Sequence, residues 1–253
     1  ANALYATFDG GATWNVVSIG GAPVVGLCAI EVVRIPFINA GLLDHKTMIV
    51  GGGRVGGPAV FIKSLDAGQT WHASDLSGQA GMVLDVHFFD DRHGIIAAAT
   101  DRNIQTANAS ILRTTNGGET WTEVYRSTRP FESTWKISFP TRDVGYVSVQ
   151  SYNPDPAASQ RFIVKTSDGG ATWVEHALVD DHRVRPFGIA FVSESHGFVG
   201  AMPHGFETRD GGANWTRTDF GPAVNKIRVV RDGSRTHLFA IGVNVHRATI
   251  ESD

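Results

Sequence analysis

Short apolar runs, bounded by Gly, Asp, Asn or Pro, recur along the whole chain. The stretch around Trp121 shows the pattern clearly, with the four runs MVLDVHFFD, RHGIIAAAT, ASILRTT and TWTEVYR. The same order follows twice more, as WKISFP, VGYVSVQ, RFIVKTS and TWVEHAL, and then as FGIAFVS, HGFVGAM, GFETR and NWTRTDF. No segment keeps a period of 3.6 residues, so the pattern predicts β-strands, four to a unit, and an all-β fold.

A nine-residue motif joins the third and fourth run of each unit. It occurs as ATFDGGATW, KSLDAGQTW, RTTNGGETW, KTSDGGATW and ETRDGGANW, ending at Trp14, Trp71, Trp121, Trp173 and Trp215. The separations between these tryptophans, 57, 50, 52 and 42 residues, fit a four-stranded propeller blade. The Asp of such a turn accepts backbone N–H bonds and the glycines supply positive φ. Because the motif recurs five times, we expect it to be structural and its tryptophans to lie in the core.

The two ends of the chain together make one more period. The 38 residues after Trp215 predict the end of a fourth strand, then a first and a second strand. The N-terminal runs ALYATF and TWNVV supply a third and a fourth, and the wrap-around distance is 52 residues. We predict one β-propeller domain over residues 1–253, with five blades, closed by pairing N- and C-terminal strands in one blade. The C-terminal RATIESD also looks like a third strand, which leaves six blades as the alternative.

The repeated S/T-x-D-x-G-x-T-W resembles the Asp-box, or bacterial neuraminidase repeat. The phrases FPTRDVGYVSV and FVSESHGFVG are similar to the photosystem II assembly and stability factor group of Asp-box propellers. The resemblance implies that each box is the hairpin between a third and a fourth strand. Asp-boxes occur in sialidases, other glycosidases, sorting receptors, lectins and assembly factors, so the resemblance leaves the function open. It favours a secreted or periplasmic location, which the residues themselves leave unknown.

Composition and charge narrow the possible functions. A net charge of -3 without a clustered basic surface gives no reason to expect nucleic acid as a partner. No apolar stretch approaches the roughly 18 residues of a membrane span. Cys28, the single cysteine, excludes an intramolecular disulfide and a Cys-based zinc site, and we expect it to be a buried thiol. We predict no metal and no cofactor. The chain opens on a motif, so a leader either has been removed or never existed.

Charged residues on the first strands are the main candidates for a site. In a propeller these strands line the central channel, and the second-to-third loops and blade connectors lie on the face opposite the boxes, where we expect a ligand. The polar members of the five aligned first strands are Glu31, Asp85, His87, Lys136, Lys226 and Arg228. They are either ion pairs that fill the channel or a functional set. In an enzyme, Glu31, Asp85 and His87 would be catalytic, and the cations would bind an anionic ligand group.

The loops and connectors add further polar side chains to the same face. These are Arg54, Asp101, Arg102, Tyr152, Asn153, His204 and His246 from loops, and Arg129, Glu132, His182, Arg183 and Arg185 from connectors. Of these, we assign Arg54, Tyr152 and His204 to ligand binding. Arg34, in VVRIP, resembles the arginine of a sialidase phrase that binds the substrate carboxylate. The acidic residue and the late tyrosine of sialidases are missing here, so the resemblance implies an anion site without sialidase activity.

Two functions remain open. The first is a binding or assembly module for a protein or glycan ligand on the face opposite the boxes. The second is a glycosidase or lyase that acts on a small or carbohydrate ligand at the channel mouth. In both cases we expect a monomer that binds a protein, carbohydrate or small molecule.

Overall fold

The structure is a computed structural model that describes residues 4–40, 42–53 and 57–251. It contains two compact units. Unit 1 is Ala1–Asn103 with Ser110–Glu123, and unit 2 is Ile104–Ala109 with Val124–Asp253. The single domain over residues 1–253 stays a prediction.

Strands account for nearly all of the regular structure. In chain order they are β1 (Tyr5–Ala6), β2 (Asn15–Val16), β3 (Gly20–Gly21), β4 (Leu27–Asn39), β5 (Leu42–Gly53), β6 (Val60–Ser64), β7 (His72–Asp75), β8 (Met82–Phe88), β9 (Gly94–Ala99), β10 (Ala109–Thr114), β11 (Thr122–Arg126), β12 (Glu132–Ser138), β13 (Gly145–Ser151), β14 (Phe162–Thr166), β15 (Val174–Ala177), β16 (Arg185–Phe191), β17 (Gly197–Met202), β18 (Gly205–Thr208), β19 (Thr216–Thr218), β20 (Lys226–Asp232), β21 (Arg235–Ile241) and β22 (Val245–Glu251). One 3₁₀ turn, Pro156–Ala158, lies between β13 and β14.

The sheets confirm the predicted fold class. Strands β8–β11, β12–β15 and β16–β19 form antiparallel four-stranded sheets in sequence order. Strands β4–β7 form another, to which the short β3 adds in parallel beside β7. The chain is a five-bladed propeller, and four of its five larger sheets contain the four antiparallel strands of a blade.

The last sheet differs in detail from the prediction. Its order is β20-β21-β22, so the third strand is the C-terminal Val245–Glu251. In the prediction, this position belongs to an N-terminal strand. In the structure, the N-terminal strands form the two-stranded sheet β1-β2. Closure of the propeller through the chain termini stays a prediction.

The β4–β5 hairpin of unit 1 is longer than the β8–β9 hairpin. Strands β4 and β5 have 13 and 12 residues, whereas β8 and β9 have seven and six. The VVRIP phrase lies inside β4, in the extended part of this hairpin. Val33 and Met48 are buried there, but Val32 and Leu42 are exposed.

Aromatic side chains fill the space between neighbouring sheets. In unit 1, Phe61 stacks on Phe88 with ring centroids 5.6 Å apart, and Trp121 meets Phe61 edge-on at 5.3 Å. In unit 2, Tyr146 stacks on Phe191. These rings come from different sheets of a unit, so they hold the sheets together by burying large apolar surfaces.

The repeated motif is a turn closed by its own side chains. Asp66 accepts hydrogen bonds from the Thr70 backbone N–H (2.9 Å), the Thr70 hydroxyl (2.6 Å) and the Ser64 hydroxyl (2.8 Å). The Ser64 hydroxyl oxygen accepts from Gly68 N–H, and Trp71 Nε1 donates to the Gly68 carbonyl oxygen. The hydrogen bonds from Thr70 lower the pKa of Asp66 to about 2. Equivalent aspartates lie in three other motifs, at Asp9, Asp168 and Asp210.

The prediction that all five motif tryptophans are core residues is wrong for Trp14. Trp71 and Trp121 are buried, and Trp173 and Trp215 are half-buried, but Trp14 is 61% exposed. The motif of Trp14 connects the two strands of the isolated sheet β1-β2, whereas the other motifs join the last two strands of larger sheets. The same turn therefore forms without burial of its indole.

Trp121→Ala should lower the free energy of unfolding by about 3–5 kcal/mol, because it removes a large buried aromatic side chain. Trp14→Ala removes the same side chain from the same motif where it is exposed, and should cost less than about 1 kcal/mol. Chemical denaturation of both variants measures the difference. Equal losses would show that Trp14 is packed in solution.

Asp66→Asn should make the protein less sensitive to acid. Its folded-state pKa of about 2 lies below the ordinary value of 3.8, so the carboxylate stabilises the fold above about pH 4. This contribution is lost as the pH falls through the folded-state pKa. In the third motif, that of Trp121, Asn116 already makes the equivalent bonds to Thr114 and Thr120, so an amide fits the turn.

The measurement is the melting temperature between pH 5 and pH 2. The drop should be smaller in Asp66→Asn than in the wild type, and unchanged in Asp143→Asn, which alters an exposed carboxylate outside the motifs. An Asp66→Asn profile that superimposes on the wild-type profile would refute the role of this carboxylate.

Candidate functional site

Two predicted residues of unit 1 meet in a side-chain hydrogen bond. His87 Nδ1 lies 2.8 Å from Glu31 Oε1, and Glu31 Oε2 accepts from the backbone N–H of Phe88 at 2.7 Å. The turn that follows β8 contacts the motif of Trp121, since the Arg92 carbonyl oxygen accepts from Gly117 N–H. The pair therefore lies near the motif end of β8, away from the end where the sequence analysis expects a ligand.

The other predicted site residues of unit 1 are Asp85, Arg34 and Arg54. Asp85 lies two residues before His87 on β8, opposite Ala97, and is half-buried. Arg34 is exposed on β4, opposite Thr47. Arg54 lies outside the described residues.

The predicted residues of unit 2 are spread over several elements. Lys136 is buried on β12, and Lys226 and Arg228 lie two positions apart on β20, where they share a face of the sheet. Tyr152 follows β13 and donates its backbone N–H to the Phe131 carbonyl oxygen at 2.7 Å. His204 lies in the β17–β18 turn, where burial lowers its pKa. Their ligand-binding roles stay predictions.

A groove of about 680 Å³ lies in unit 2. One wall is the β13–β14 loop with its 3₁₀ turn, and the other is β15 with the connector to β16. We call it the loop groove; its residues are Pro156, Ala157, Ser159, Gln160, Arg161, Phe162, Glu175, Ala177, Val179, Asp180, Asp181 and His182. It adjoins the start of β14 and the end of β15, whereas the motif of Trp173 joins the other ends of these strands. The groove is thus opposite the motif.

Arg161 fixes the two walls of the loop groove to each other. Its side chain is 6% exposed, and its Nε and Nη2 donate to the carbonyl oxygens of Val184 and His182 in the connector. Nη1 donates to the Ser159 hydroxyl and to the Gln160 carbonyl oxygen within its own loop. Burial is the main cause that lowers the pKa of Arg161. One guanidinium therefore joins the loop to the connector.

A second arginine joins two carboxylates beside the groove. Arg129 Nε donates to Glu132 Oε1 at 2.7 Å, and Nη2 donates to Glu175 Oε1 at 2.8 Å. The Tyr125 hydroxyl donates to the same oxygen of Glu175 at 2.8 Å. The Arg129 guanidinium lies 4.5 Å from the centre of the Phe162 ring. Only Glu175 and Phe162 of this network also line the groove.

Burial sets the protonation behaviour of the network. Glu132 is fully buried, and this desolvation raises its pKa against the opposing hydrogen bond from Arg129. Burial and the Glu175 carboxylate together raise the pKa of Tyr125. Tyr125 therefore remains a hydrogen-bond donor at neutral pH, and it fixes one oxygen of Glu175.

Arg129, Glu132 and His182 are among the connector residues predicted from the sequence, whereas Arg161, Glu175 and Tyr125 are not among the predicted residues. Arg161 directly precedes an apolar strand and Glu175 lies in the short outer strand VEHA, so each matches an ordinary solvated position. Their contacts with other elements span 21 to 50 residues of chain. No local signal could have identified them.

Within the described ranges, no group of three or more His, Cys, Asp or Glu side chains is arranged to hold a metal ion. Cys28 is a half-buried free thiol. Among the described residues, no helix is long and apolar enough to cross a membrane.

Comparison with known proteins confirms the resemblance to photosystem II assembly factors. The chain is 26% identical over 178 residues to the photosystem II assembly lipoprotein Ycf48 of Synechococcus sp. (strain CC9902). The match covers 68% of this chain and 47% of the relative, so this chain spans about half the length of the curated protein that it matches. No family model matches the sequence.

Solved structures share the fold. The GH93 α-L-arabinofuranosidase of Fusarium graminearum, in complex with arabinobiose, has a TM-score of 0.54 at 12% identity, covering 98% of this chain and 84% of the enzyme. At this identity the likeness shows the propeller fold alone. The structure of YCF48 bound to D1 peptide has a TM-score of 0.44 at 18% identity, covering 65% of this chain and 54% of that protein.

Arg129→Met should destabilise unit 2 by about 3–5 kcal/mol, because it leaves the buried Glu132 carboxylate without its cation. Arg183→Met is the matched control: its ion pair with Asp181 is on a side chain that is 78% exposed and screened by solvent, so the loss should be far smaller than in Arg129→Met. Chemical denaturation measures both. The double variant Arg129→Met/Glu132→Leu should recover part of the loss, and a further loss instead would contradict the ion-pair account.

Proposed function

We propose that this chain is a non-catalytic module that binds a segment of a partner protein in the loop groove of unit 2. The observation that carries the proposal is the similarity to a lipoprotein that, by its name, takes part in photosystem II assembly. The partner that this suggests is a protein undergoing assembly.

The form of the loop groove supports a protein segment as the ligand. The groove is formed by loop and strand, and it combines apolar side chains with charged ones. Strand β15 is the outer strand of its sheet, and among the described residues it pairs with β14 alone. An extended segment can add to such an edge through backbone hydrogen bonds while its side chains enter the adjacent groove.

The carboxylates of the network favour binding over glycoside hydrolysis. Glycosidases place two carboxyl groups on either side of the scissile bond. Here one guanidinium lies between Glu132 and Glu175 and bonds to both, and Glu132 is fully buried. A glycosidase or lyase remains the alternative, and turnover of a substrate would establish it.

Ala177→Trp should weaken partner binding at least tenfold while the fold is retained. Ala177 is exposed at the end of β15 and lines the loop groove, so an indole there occupies the space of a ligand. Peptides selected with the wild-type chain from a random library displayed on phage should bind Ala177→Trp at least tenfold more weakly, as measured by calorimetry.

The control is Ala171→Trp, the same substitution at an exposed alanine in the motif at the other end of the sheet, which should bind within twofold of the wild type. Two results would overturn the proposal. One is a library that yields no binder or binders indifferent to Ala177→Trp. The other is release of nitrophenol from 4-nitrophenyl α-L-arabinofuranoside by the wild-type chain but not by Ala177→Trp.

A further inference from the structure

The arginine side chains in and beside the loop groove already make hydrogen bonds within the protein. All three guanidinium nitrogens of Arg161 donate to oxygens of the groove walls. Arg183, beside the groove, makes two bonds of 2.9 Å to the Asp181 carboxylate. The anion site that the sequence analysis expected on this side of the sheets therefore has no support from these two arginines.

The carboxylates Glu175 and Asp180 of the groove accept fewer hydrogen bonds from the protein than they could. Glu175 accepts its two hydrogen bonds at Oε1 and is 34% exposed. Asp180 is exposed, and in the part of the chain that the structure describes its carboxylate has no hydrogen bond or ion pair. Arg129 is shared by two carboxylates, Glu132 and Glu175, so the three groups together carry one net negative charge when ionised. The groove thus offers acceptors to a ligand.

Apolar surface lies next to these acceptors. Phe162, Ala177 and Val179 line the same groove as Glu175 and Asp180. Arg129 already shows that a cation is accommodated at the Phe162 ring, 4.5 Å from its centre. Lysine and arginine side chains place their methylene stems on apolar surface and keep their charged ends near acceptors.

We infer that the loop groove recognises a lysine or arginine side chain of the bound segment, with its stem on Val179 and Ala177 and its charge beside Glu175 and Asp180. The inference rests on the proposed function, because it names the chemical feature by which a partner segment is chosen. A groove of about 680 Å³ is larger than one side chain, which leaves space for the backbone around it.

The test uses four capped hexapeptides, Ala-Ala-X-Ala-Ala-Ala, in which X is lysine, arginine, norleucine or glutamate. Titration of the ¹⁵N-labelled chain by NMR should give saturable shifts at the groove residues with the lysine and arginine peptides. The norleucine peptide, which keeps the apolar stem and lacks the charge, should bind at least tenfold more weakly. Raising the salt concentration should weaken lysine binding, since the contact is between charges near the surface.

Asp180→Asn should weaken binding of the lysine peptide at least threefold, and Asp180→Asn/Glu175→Gln at least tenfold. Asp180 is exposed, so its single variant tests the inference even if the double variant is unstable. The matched control is Asp143→Asn, an exposed carboxylate in the β12–β13 turn, whose carbonyl oxygen accepts from Gly169 in the motif of Trp173. This variant should bind as the wild type does.

Three outcomes would overturn the inference: equal binding of the norleucine and lysine peptides, tighter binding of the glutamate peptide, or no binding of any peptide in the groove. Its failure is distinguishable from failure of the proposed function. Library peptides that lose affinity on Ala177→Trp but show no enrichment of lysine or arginine refute the inference alone. Library peptides that bind independently of Ala177 refute the proposed function, whatever the hexapeptides do.

Discussion

The hydrogen-bonded turn between the third and fourth strands is the constraint on which the blades depend. Its Asp accepts hydrogen bonds from the backbone N–H and the hydroxyl of the residue four positions later. The shape of the turn is therefore set by hydrogen bonds within the turn itself. Trp14 shows this directly, because its turn has the same bonds although its indole is exposed. Where the motif belongs to a larger sheet, the same geometry carries the tryptophan into contact with neighbouring rings, as Trp121 does with Phe61 and Phe88. The turn is a local structure, and the packing of its tryptophan is what joins it to the blade.

Long-range contacts join the elements at the opposite ends of the sheets. In unit 2, Arg161 fastens a loop to a connector through carbonyl oxygens, and Arg129 joins carboxylates 43 residues apart in sequence. An arginine suits this task because its planar group presents several donors in fixed directions. Loops held by such contacts can differ in sequence from blade to blade without loss of the fold. This is why a binding groove is more readily built at this end than at the motif end.

Sequence periodicity predicted the fold because each repeat carries its own strands and turn. It did not predict the length of the β4–β5 hairpin, the exposure of Trp14 or the place of β22 in the last sheet. Those three features depend on what a segment packs against, which no local pattern encodes. The candidate site was less predictable. The alignment of first strands placed Glu31 and His87 among the converging residues, and they are 2.8 Å apart, but at the motif end. The groove depends on Glu175 meeting Tyr125 and Arg129, which are 50 and 46 residues away, and on burial of Arg161. Neither property is visible in the residues that flank them.

Carboxylates at the two ends of the same strands illustrate why residue type alone does not indicate a role. Asp168, at the motif end of β14 and β15, is surrounded by donors of its own turn; burial acts to raise its pKa, but the hydrogen bonds from Thr172 prevail and lower it to about 2. Its bonding capacity is largely used inside the turn, so it has little left for a ligand. Glu175 and Asp180, at the other end, have acceptor capacity that the protein does not use. A carboxylate becomes available for recognition where the fold supplies fewer donors than it can accept, and in unit 2 this condition is met at the loop groove.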